Sequence, residues 1–255
     1  MSGRGETVTN QTIRIVQLYP AQMNIYGDIG NLEVLQRRAG LYGLKVETGA
    51  HGTGDDVSDL ANADIVLGGG GQDSGQARIV DDLTSIGPTL RHMVDDGVAV
   101  LVVCGMYQLF GHSFITGTGQ EMTGIGVFDM QTQAGEKRLI GNIVIETEFG
   151  QVVGYENHSG LTTLRPGQAS FGTVIAGEGN CGDGTEGARV GNCFGTYLHG
   201  PVLPKNPVVA DHLLAVAARR IGMSLVPRDA SAAEQLKLLD DLAVSARQVA
   251  VKRPR

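Results

Sequence analysis

The stretch Val98-Ala99-Val100-Leu101-Val102-Val103-Cys104-Gly105-Met106-Tyr107-Gln108 decides the fold. Six consecutive apolar residues read as a buried strand. Gly105 allows an abrupt turn, and Met106–Phe110 can begin a helix. A tight strand-to-helix turn lifts one side chain clear of a sheet and aims the helix N-terminus at it, which is what a nucleophile needs. A helix dipole with free N–H groups is expected to lower the Cys104 thiol pKa toward the reactive thiolate. The segment fits equally well a buried, inert cysteine that closes a core strand.

A second segment separates the two readings. Gly191-Asn-Cys193-Phe-Gly195-Thr196-Tyr197-Leu198-His199-Gly200-Pro201 reads as a short apolar strand that ends in a histidine, with Gly-Pro stopping it. Strand ends in an α/β sheet face the crevice where ligands bind. A cysteine and a histidine at two strand ends, far apart in sequence, fit a thiolate–imidazole pair.

Around these segments the first half of the chain alternates. Thr12–Tyr19 reads as a strand, and Asp28 as the cap of a helix whose apolar positions Ile29, Leu32, Leu35, Ala39 and Tyr42 recur every three or four residues until Gly43. Leu44–Glu47, Asp64–Leu67 and Val98–Val103 are further strands. Helices are expected at Asp73–Leu83 and, starting at Pro88, at Thr89–Asp95. This βαβ series predicts an α/β fold: a central, mostly parallel sheet with helices on both faces. From Thr116 to Gly200, strand-like pieces such as Leu139–Phe149 and Thr173–Ala176 alternate with glycine-rich turns. They read as an antiparallel or mixed extension of the same sheet, with Gly177–Gly187 as a mobile loop. Asn206–Ile221 and Ala230–Val251 read as helices, and Lys252-Arg-Pro-Arg255 as a solvated basic end. A single domain over 1–255 follows, with a core at 12–225 and a helical tail at 226–255.

Gly68-Gly69-Gly70-Gly71-Gln72-Asp73 follows a strand and precedes a helix. A P-loop needs a Lys and a Ser/Thr after its last glycine, and Gly75-Gln76-Ala77 supplies neither. The dinucleotide pattern opens the first βα unit, whereas this run follows the third strand. An oxyanion hole suits it better, because glycine lets bare N–H groups approach a tetrahedral intermediate; such donors contribute roughly 3–4 kcal/mol in the transition state. A plain tight turn is the other reading.

The composition narrows the classes. The chain has 255 residues, 42% of them hydrophobic, enough for one large core or two small ones. Its 20 basic and 27 acidic residues give a net charge of −7, against a general nucleic-acid binder. No apolar run is long enough to span a bilayer, and Met1–Gln11 lacks a signal peptide's apolar region. Three cysteines, Cys104, Cys181 and Cys193, have no metal-ligand spacing and fit a reducing cytoplasm.

Together these segments resemble the class I (triad-type) glutamine amidotransferases, in the cobyric-acid-synthase-like branch. Leu67-Gly-Gly-Gly-Gly-Gln-Asp73 is similar to that family's oxyanion strand, Cys104-Gly-Met-Tyr-Gln108 to its nucleophile elbow, and Thr196-Tyr-Leu-His199-Gly-Pro to its histidine motif. Asn24-Ile-Tyr-Gly-Asp28-Ile-Gly-Asn31, Lys137-Arg138-Leu-Ile-Gly-Asn142 and Gly154-Tyr155-Glu156-Asn157-His158 resemble the narrower GatD group, the glutaminase subunits of lipid II isoglutaminyl synthase. The resemblance covers about residues 12 to 225.

It implies that the chain hydrolyses L-glutamine to glutamate and ammonia through a thioester on Cys104, with His199 as acid and base. It implies oxyanion donors at Gly70 or Gly71 and at Gly105, and substrate binding by Arg138 and Gln108, with Arg138 facing the α-carboxylate. The other reading of Arg138 is a surface residue paired with Glu136. His158, with Asn157 or Glu156 bonding the backbone, reads as part of a structural turn rather than as a second base. No metal or cofactor is expected in this chain. ATP and Mg belong to a MurT-like Mur-ligase-family partner, which forms a heterodimer with it and amidates the D-glutamate of lipid II to D-isoglutamine in peptidoglycan synthesis. Exposed residues around Tyr19–Asn31 suit that contact.

Two departures from the family pattern matter. Classical members carry a glutamate two residues after the histidine, and here that position is Pro201; cobyric-acid-type members share the absence. Val102 and Met106 stand where many classical members have glycines. Two other functions compete: the glutaminase part of a cobyrinic-acid amidating enzyme, which the free-standing chain argues against, and a non-enzymatic regulator in which Cys104 is a redox sensor or a relic.

Overall fold

A computed structural model describes residues 12–252; the Met1–Gln11 stretch and the end of the basic tail, Arg253-Pro-Arg255, lie outside the described residues. β1 (Thr12–Leu18) buries Ile13, Ile15, Val16 and Leu18. After it come α1 (Ile29–Leu41), β2 (Lys45–His51), the single turn α2 (Ser58–Ala61), β3 (Ile65–Gly68), α3 (Asp73–Asp95), β4 (Ala99–Val103) and α4 (Gly105–Leu109). β2, β1, β3 and β4 lie side by side in that order, all parallel. β3 and β4 are buried at every position. They read as unbroken apolar runs because a parallel sheet is covered on both faces and has no polar side.

The chain then forms β5 (Ser113–Ile115), β6 (Glu121–Thr123), β7 (Met130–Thr147), β8 (Gly150–Leu164), β9 (Gly172–Ala176), β10 (Thr185–Glu186), β11 (Ala188–Val190) and β12 (Cys193–Thr196). Only the last two extend the central sheet: β12 pairs in parallel with β4, and β11 closes antiparallel on β12. β5 to β10 instead make a second sheet around the long β7–β8 hairpin. β7 pairs with β8 along one side and with β5 and β9 along the other, so its backbone groups are satisfied within this second sheet. The two sheets touch where the Tyr155 N–H donates to His199 O (3.2 Å) and the His199 N–H donates to Tyr155 O (2.8 Å). One apolar cluster runs from Ile13 and Leu18 through Val100 to Ile143 and Val152, across both sheets. α5 (Val202–Lys205), α6 (Pro207–Arg220) and α7 (Ala230–Val251) complete the described chain, with α6 packed on β3, β4 and α1.

Three local expectations are corrected. α3 runs through Pro88 as one helix. Proline's Cδ clashes with the N–H and the Cβ of a helical residue before it, and Gly87 removes the Cβ part of that clash. Ile86 and Leu90, on either side of Pro88, are both buried in the core. Asp28 occupies the N-cap position of α1 but makes no side-chain cap bond. Asn24 Oδ1 accepts the Ile29 N–H instead (2.9 Å), and the Asp28 carboxylate turns to the Gly70 N–H (2.8 Å). Gly177–Gly187 is pinned rather than loose: Glu156 accepts from the Glu178 and Gly179 N–H groups, and Asn180 and Glu186 are fully buried.

Candidate active site

β4 ends at Cys104 with φ 50° and ψ −109°; Cys104 and Tyr19 are the non-glycine residues with positive φ among the described residues. Such backbone costs of order 1–3 kcal/mol and persists only where its surroundings impose it. Here the Cys104 N–H donates to Thr196 O on β12 (2.8 Å), and the Gln108 N–H closes the first turn of α4 on Cys104 O (2.9 Å).

The four glycines Gly68–Gly71, at the end of β3 and just beyond it, explain how the turn fits. None has positive φ, so conformational freedom is not their use. They are needed for close approach. A Cβ on Gly68 would lie 2.4 Å from Met106, on Gly69 2.1 Å from Met23 O, and on Gly71 2.4 Å from the Met23 sulfur. On Gly70 it would meet His199 Cε1 at 3.0 Å, the Tyr26 ring at 3.3 Å and Cys104 Cβ at 3.4 Å. Gly70 is thus the point where the cysteine and histidine strand ends come together.

Both partners are buried, Cys104 to 6% and His199 to 2% exposure. Burial pushes the thiol up to about 12, and the Asp28 carboxylate adds to the rise; the Gly105 N–H and Arg138 oppose it. The expected lowering by the helix terminus is therefore overridden by loss of solvent. Burial pushes the His199 imidazole down to about 3, helped by His158 and Arg138. Both ring nitrogens of His199 lack a hydrogen-bond partner among the described residues. Asp211 lies elsewhere, bonded to Arg38 (2.6 Å) and Tyr42 (2.9 Å).

Of the oxyanion candidates, the Gly70 N–H is already donated to Asp28. The Gly105 N–H bonds toward the cysteine sulfur. Gly71 lies directly against Gly105, whose added Cβ would meet Gly71 N at 3.1 Å. Burial raises the Asp28 carboxyl to about 6 despite the Gly70 bond, and its Oδ1 has no hydrogen-bond partner among the described residues.

Arg138 sits in the irregular stretch of β7 between Ala134 and Leu139, where the register with β8 shifts. Such irregularities re-aim side chains. The exposed guanidinium donates from Nε to Asn157 Oδ1 (2.6 Å), and from Nη2 to Tyr26 Oη (2.9 Å) and Asn157 O (3.1 Å). It does not pair with Glu136. Gln108 is buried, with Oε1 accepting from Gln76 (2.9 Å) and Nε2 donating to Tyr197 Oη (3.2 Å). This places it in a polar network beneath the turn. His158 is buried in β8, stacked on Tyr197 at 3.6 Å, with Nδ1 bonded to Gly160 O (2.8 Å). Among the described residues no His, Cys, Asp and Glu group could hold a metal, and no helix is long and apolar enough to cross a membrane.

Two residues went unread in the sequence. Tyr26 lies with its ring centroid 4.2 Å from that of His199. Glu186, fully buried, accepts from Thr196 Oγ1 (3.0 Å) and the Tyr197 N–H (2.6 Å), pinning the strand end that presents His199. Tyr26 lies within the Asn24–Asn31 segment that resembles the GatD group, but no role was read for it, and Glu186, at the end of a glycine-rich segment, carried no periodic or motif signal.

A cysteine at a strained strand–helix turn, a histidine at the adjoining strand end and a glycine run between them, on this sheet, define a class I glutamine amidotransferase. A solved glutamine amidotransferase has the same fold at 15% identity, with a TM-score of 0.55 over 79% of this chain and 98% of that one. Residues 14–207 match the CobB/CobQ-like glutamine amidotransferase domain. The chain is 39% identical to the lipid II isoglutaminyl synthase (glutamine-hydrolysing) subunit GatD of Staphylococcus aureus, over 82% of its own length and 85% of the relative's. It is 36% identical to GatD of Streptococcus pneumoniae, over 82% and 81% of the two chains. The chain belongs to the GatD group of the CobB/CobQ-like glutamine amidotransferases.

The buried Glu186 gives a test of this packing. Burial raises its carboxyl from 4.5 to about 8, against the bonds from Tyr197 and Thr196. The folded chain then keeps a proton that the unfolded chain releases, so stability falls as pH rises from about 4.5 to about 8 and levels off above. Glu186→Gln keeps an acceptor for both donors and abolishes the titration. Its melting temperature relative to wild type should therefore improve between about pH 5 and about pH 8. A difference independent of pH would show that Glu186 is not a neutral buried acid.

Proposed function

We propose that this glutamine amidotransferase hydrolyses L-glutamine at Cys104 and His199 and delivers the ammonia to a Mur-ligase-like partner. The observation that carries the reading is the packing of Gly70 against both side chains. The Cys104 thiol passes its proton to His199, and the sulfur attacks the side-chain amide carbon. The Gly71 and Gly105 N–H groups stabilise the developing oxyanion; Gly70 joins them only after releasing Asp28. His199 gives the proton to the leaving nitrogen, the C–N bond breaks, and ammonia departs from a γ-glutamyl thioester. His199 then takes a proton from water, the hydroxide attacks, the C–S bond breaks, and glutamate and the thiol are restored. Arg138 holds the α-carboxylate, with Nη1 and Nη2 as the edge that suits two parallel bonds. Gln108 supports the turn from below and has a second amide hydrogen for substrate.

The GatD relatives carry the rest. Their names describe a subunit of a lipid II amidating synthase. For this chain we infer the same assembly: a MurT-like subunit activates the D-glutamate carboxylate of lipid II with ATP and Mg and accepts the ammonia. No cofactor is assigned to this chain. The reaction is placed in the cytoplasm, where Cys104, Cys181 and Cys193 stay reduced.

Arg138→Ala should raise the KM for glutamine with a smaller effect on kcat. A hydrogen bond to a charged group is worth about 1.5–3 kcal/mol, which is roughly ten- to hundred-fold in KM. Unchanged KM and kcat would show that another group holds the carboxylate.

The unpartnered His199 ring nitrogens suggest that a partner carboxylate completes the site. In a serine-protease triad, replacing the acid that orients the imidazole costs on the order of 10⁴-fold in kcat. Initial glutaminase rates of the free chain should be low, should rise at least roughly ten-fold in the complex, and should fall again when the contributing partner carboxylate becomes alanine. Full activity in the free chain, unchanged by partner, would refute the shared site.

A further inference from the structure

The Tyr26 side chain reaches between the two ends of the proposed site. Its hydroxyl accepts from Arg138 Nη2 at 2.9 Å, the place that the proposed role of Arg138 gives to a carboxylate oxygen of glutamine. Its ring lies 4.2 Å from the His199 imidazole, tilted by 51°, and against Gly70 beside Cys104. One side chain thus connects the cation to the reacting groups, as glutamine must. The nucleophile and base are shut off at 6% and 2% exposure.

The segment around Tyr26 is built to let it leave. Met23 and Asp28 anchor the loop on either side, at 1% and 6% exposure. Between them Ile25 is exposed and Tyr26 half-buried. Gly27 follows at φ +75°, with nothing within 4 Å of an added Cβ, so it can pivot without disturbing the core. The Ile25 N–H to Gly70 O bond (3.1 Å) and the phenol–Arg138 bond hold the loop down.

We propose that Tyr26 is a specificity-determining residue of the glutamine subsite, standing in for the substrate in the free chain and yielding only to a ligand that brings a carboxylate to Arg138. This rests on the proposed role of Arg138. A carboxylate bonds a guanidinium more strongly than a neutral phenol does and can use Nη1 as well. An amide without an α-carboxylate has no such means of displacing the phenol. Tyr26 therefore couples recognition at one end of glutamine to exposure of Cys104 at the other.

The test uses the full chain as wild type, Tyr26→Phe and Tyr26→Ala. Iodoacetamide, small and uncharged, reports access to Cys104 by peptide mass spectrometry. Half-exposed Cys181 serves as the internal reference, and buried Cys193 as the control for an intact core. Tyr26→Ala should raise Cys104 alkylation relative to Cys181 by roughly ten-fold or more with Cys193 still protected. Equal alkylation in wild type and Tyr26→Ala would overturn the proposal. Calorimetric binding of L-glutamine, with Cys104→Ala in every protein to prevent turnover, is the second readout. Tyr26→Phe, which keeps the ring and removes the bond to Arg138, should bind L-glutamine several-fold more tightly than the Tyr26 protein. Unchanged or weaker binding would overturn the proposal, and this variant decides if Tyr26→Ala unfolds and exposes Cys193. 4-Aminobutanamide, which lacks the α-carboxylate, should gain affinity chiefly in Tyr26→Ala. Increased alkylation of Cys104 with no L-glutamine binding in any variant would sink the glutaminase reading while confirming that Tyr26 covers the nucleophile.

Discussion

Pairing of β4 with β12 brings the Cys104 turn and the His199 strand end together, and Gly70, having no side chain, packs closely against both. A single Cβ there would stand within 3.0–3.4 Å of His199, Tyr26 and Cys104 at once. Gly68, Gly69 and Gly71 extend the same constraint to Met106 and Met23, so the 19–28 loop can lie flat against the end of the central sheet. The rest follows from that close approach. Asp28 reaches the Gly70 N–H, Tyr26 reaches His199, and the irregular stretch of β7 brings Arg138 to the Tyr26 hydroxyl.

The same close packing sets the electrostatics. With both groups out of water, the thiol and the imidazole are each driven toward their neutral forms. A closed, neutral pair is inert toward water. On the proposed mechanism, activity requires a change at the site: displacement of the loop, arrival of the substrate amide, or a carboxylate beside His199. An enzyme that must not release ammonia without an acceptor gains from such a resting arrangement.

Much of this was legible in the chain. The apolar run 98–103 with Cys104-Gly105 marked the strand-to-helix turn, because a strand buried on both faces has no polar alternation to confuse it. The Gly68–Gly71 run and the Thr196–His199 strand end were equally plain. Elements governed by tertiary contacts were not. Gly87 hid the continuity of α3 through Pro88, since proline reads as a breaker when only its own residue is considered. The separate second sheet was obscured because strand patterns do not say which edge they join. Asp28 looked like a helix cap, yet its carboxylate is used forty-two residues away at Gly70. Tyr26 and Glu186 matter through what they touch across the fold, which spacing along the chain cannot show.

The account stands or falls on which atom attacks glutamine. 6-Diazo-5-oxo-L-norleucine carries glutamine's α-carboxylate and amine and alkylates the nucleophile that engages its side-chain carbonyl. Incubation of the chain with this analogue, followed by peptide mass spectrometry, should find one adduct, on Cys104, suppressed by excess L-glutamine. An adduct on Cys181 or Cys193 with Cys104 unmodified would contradict it.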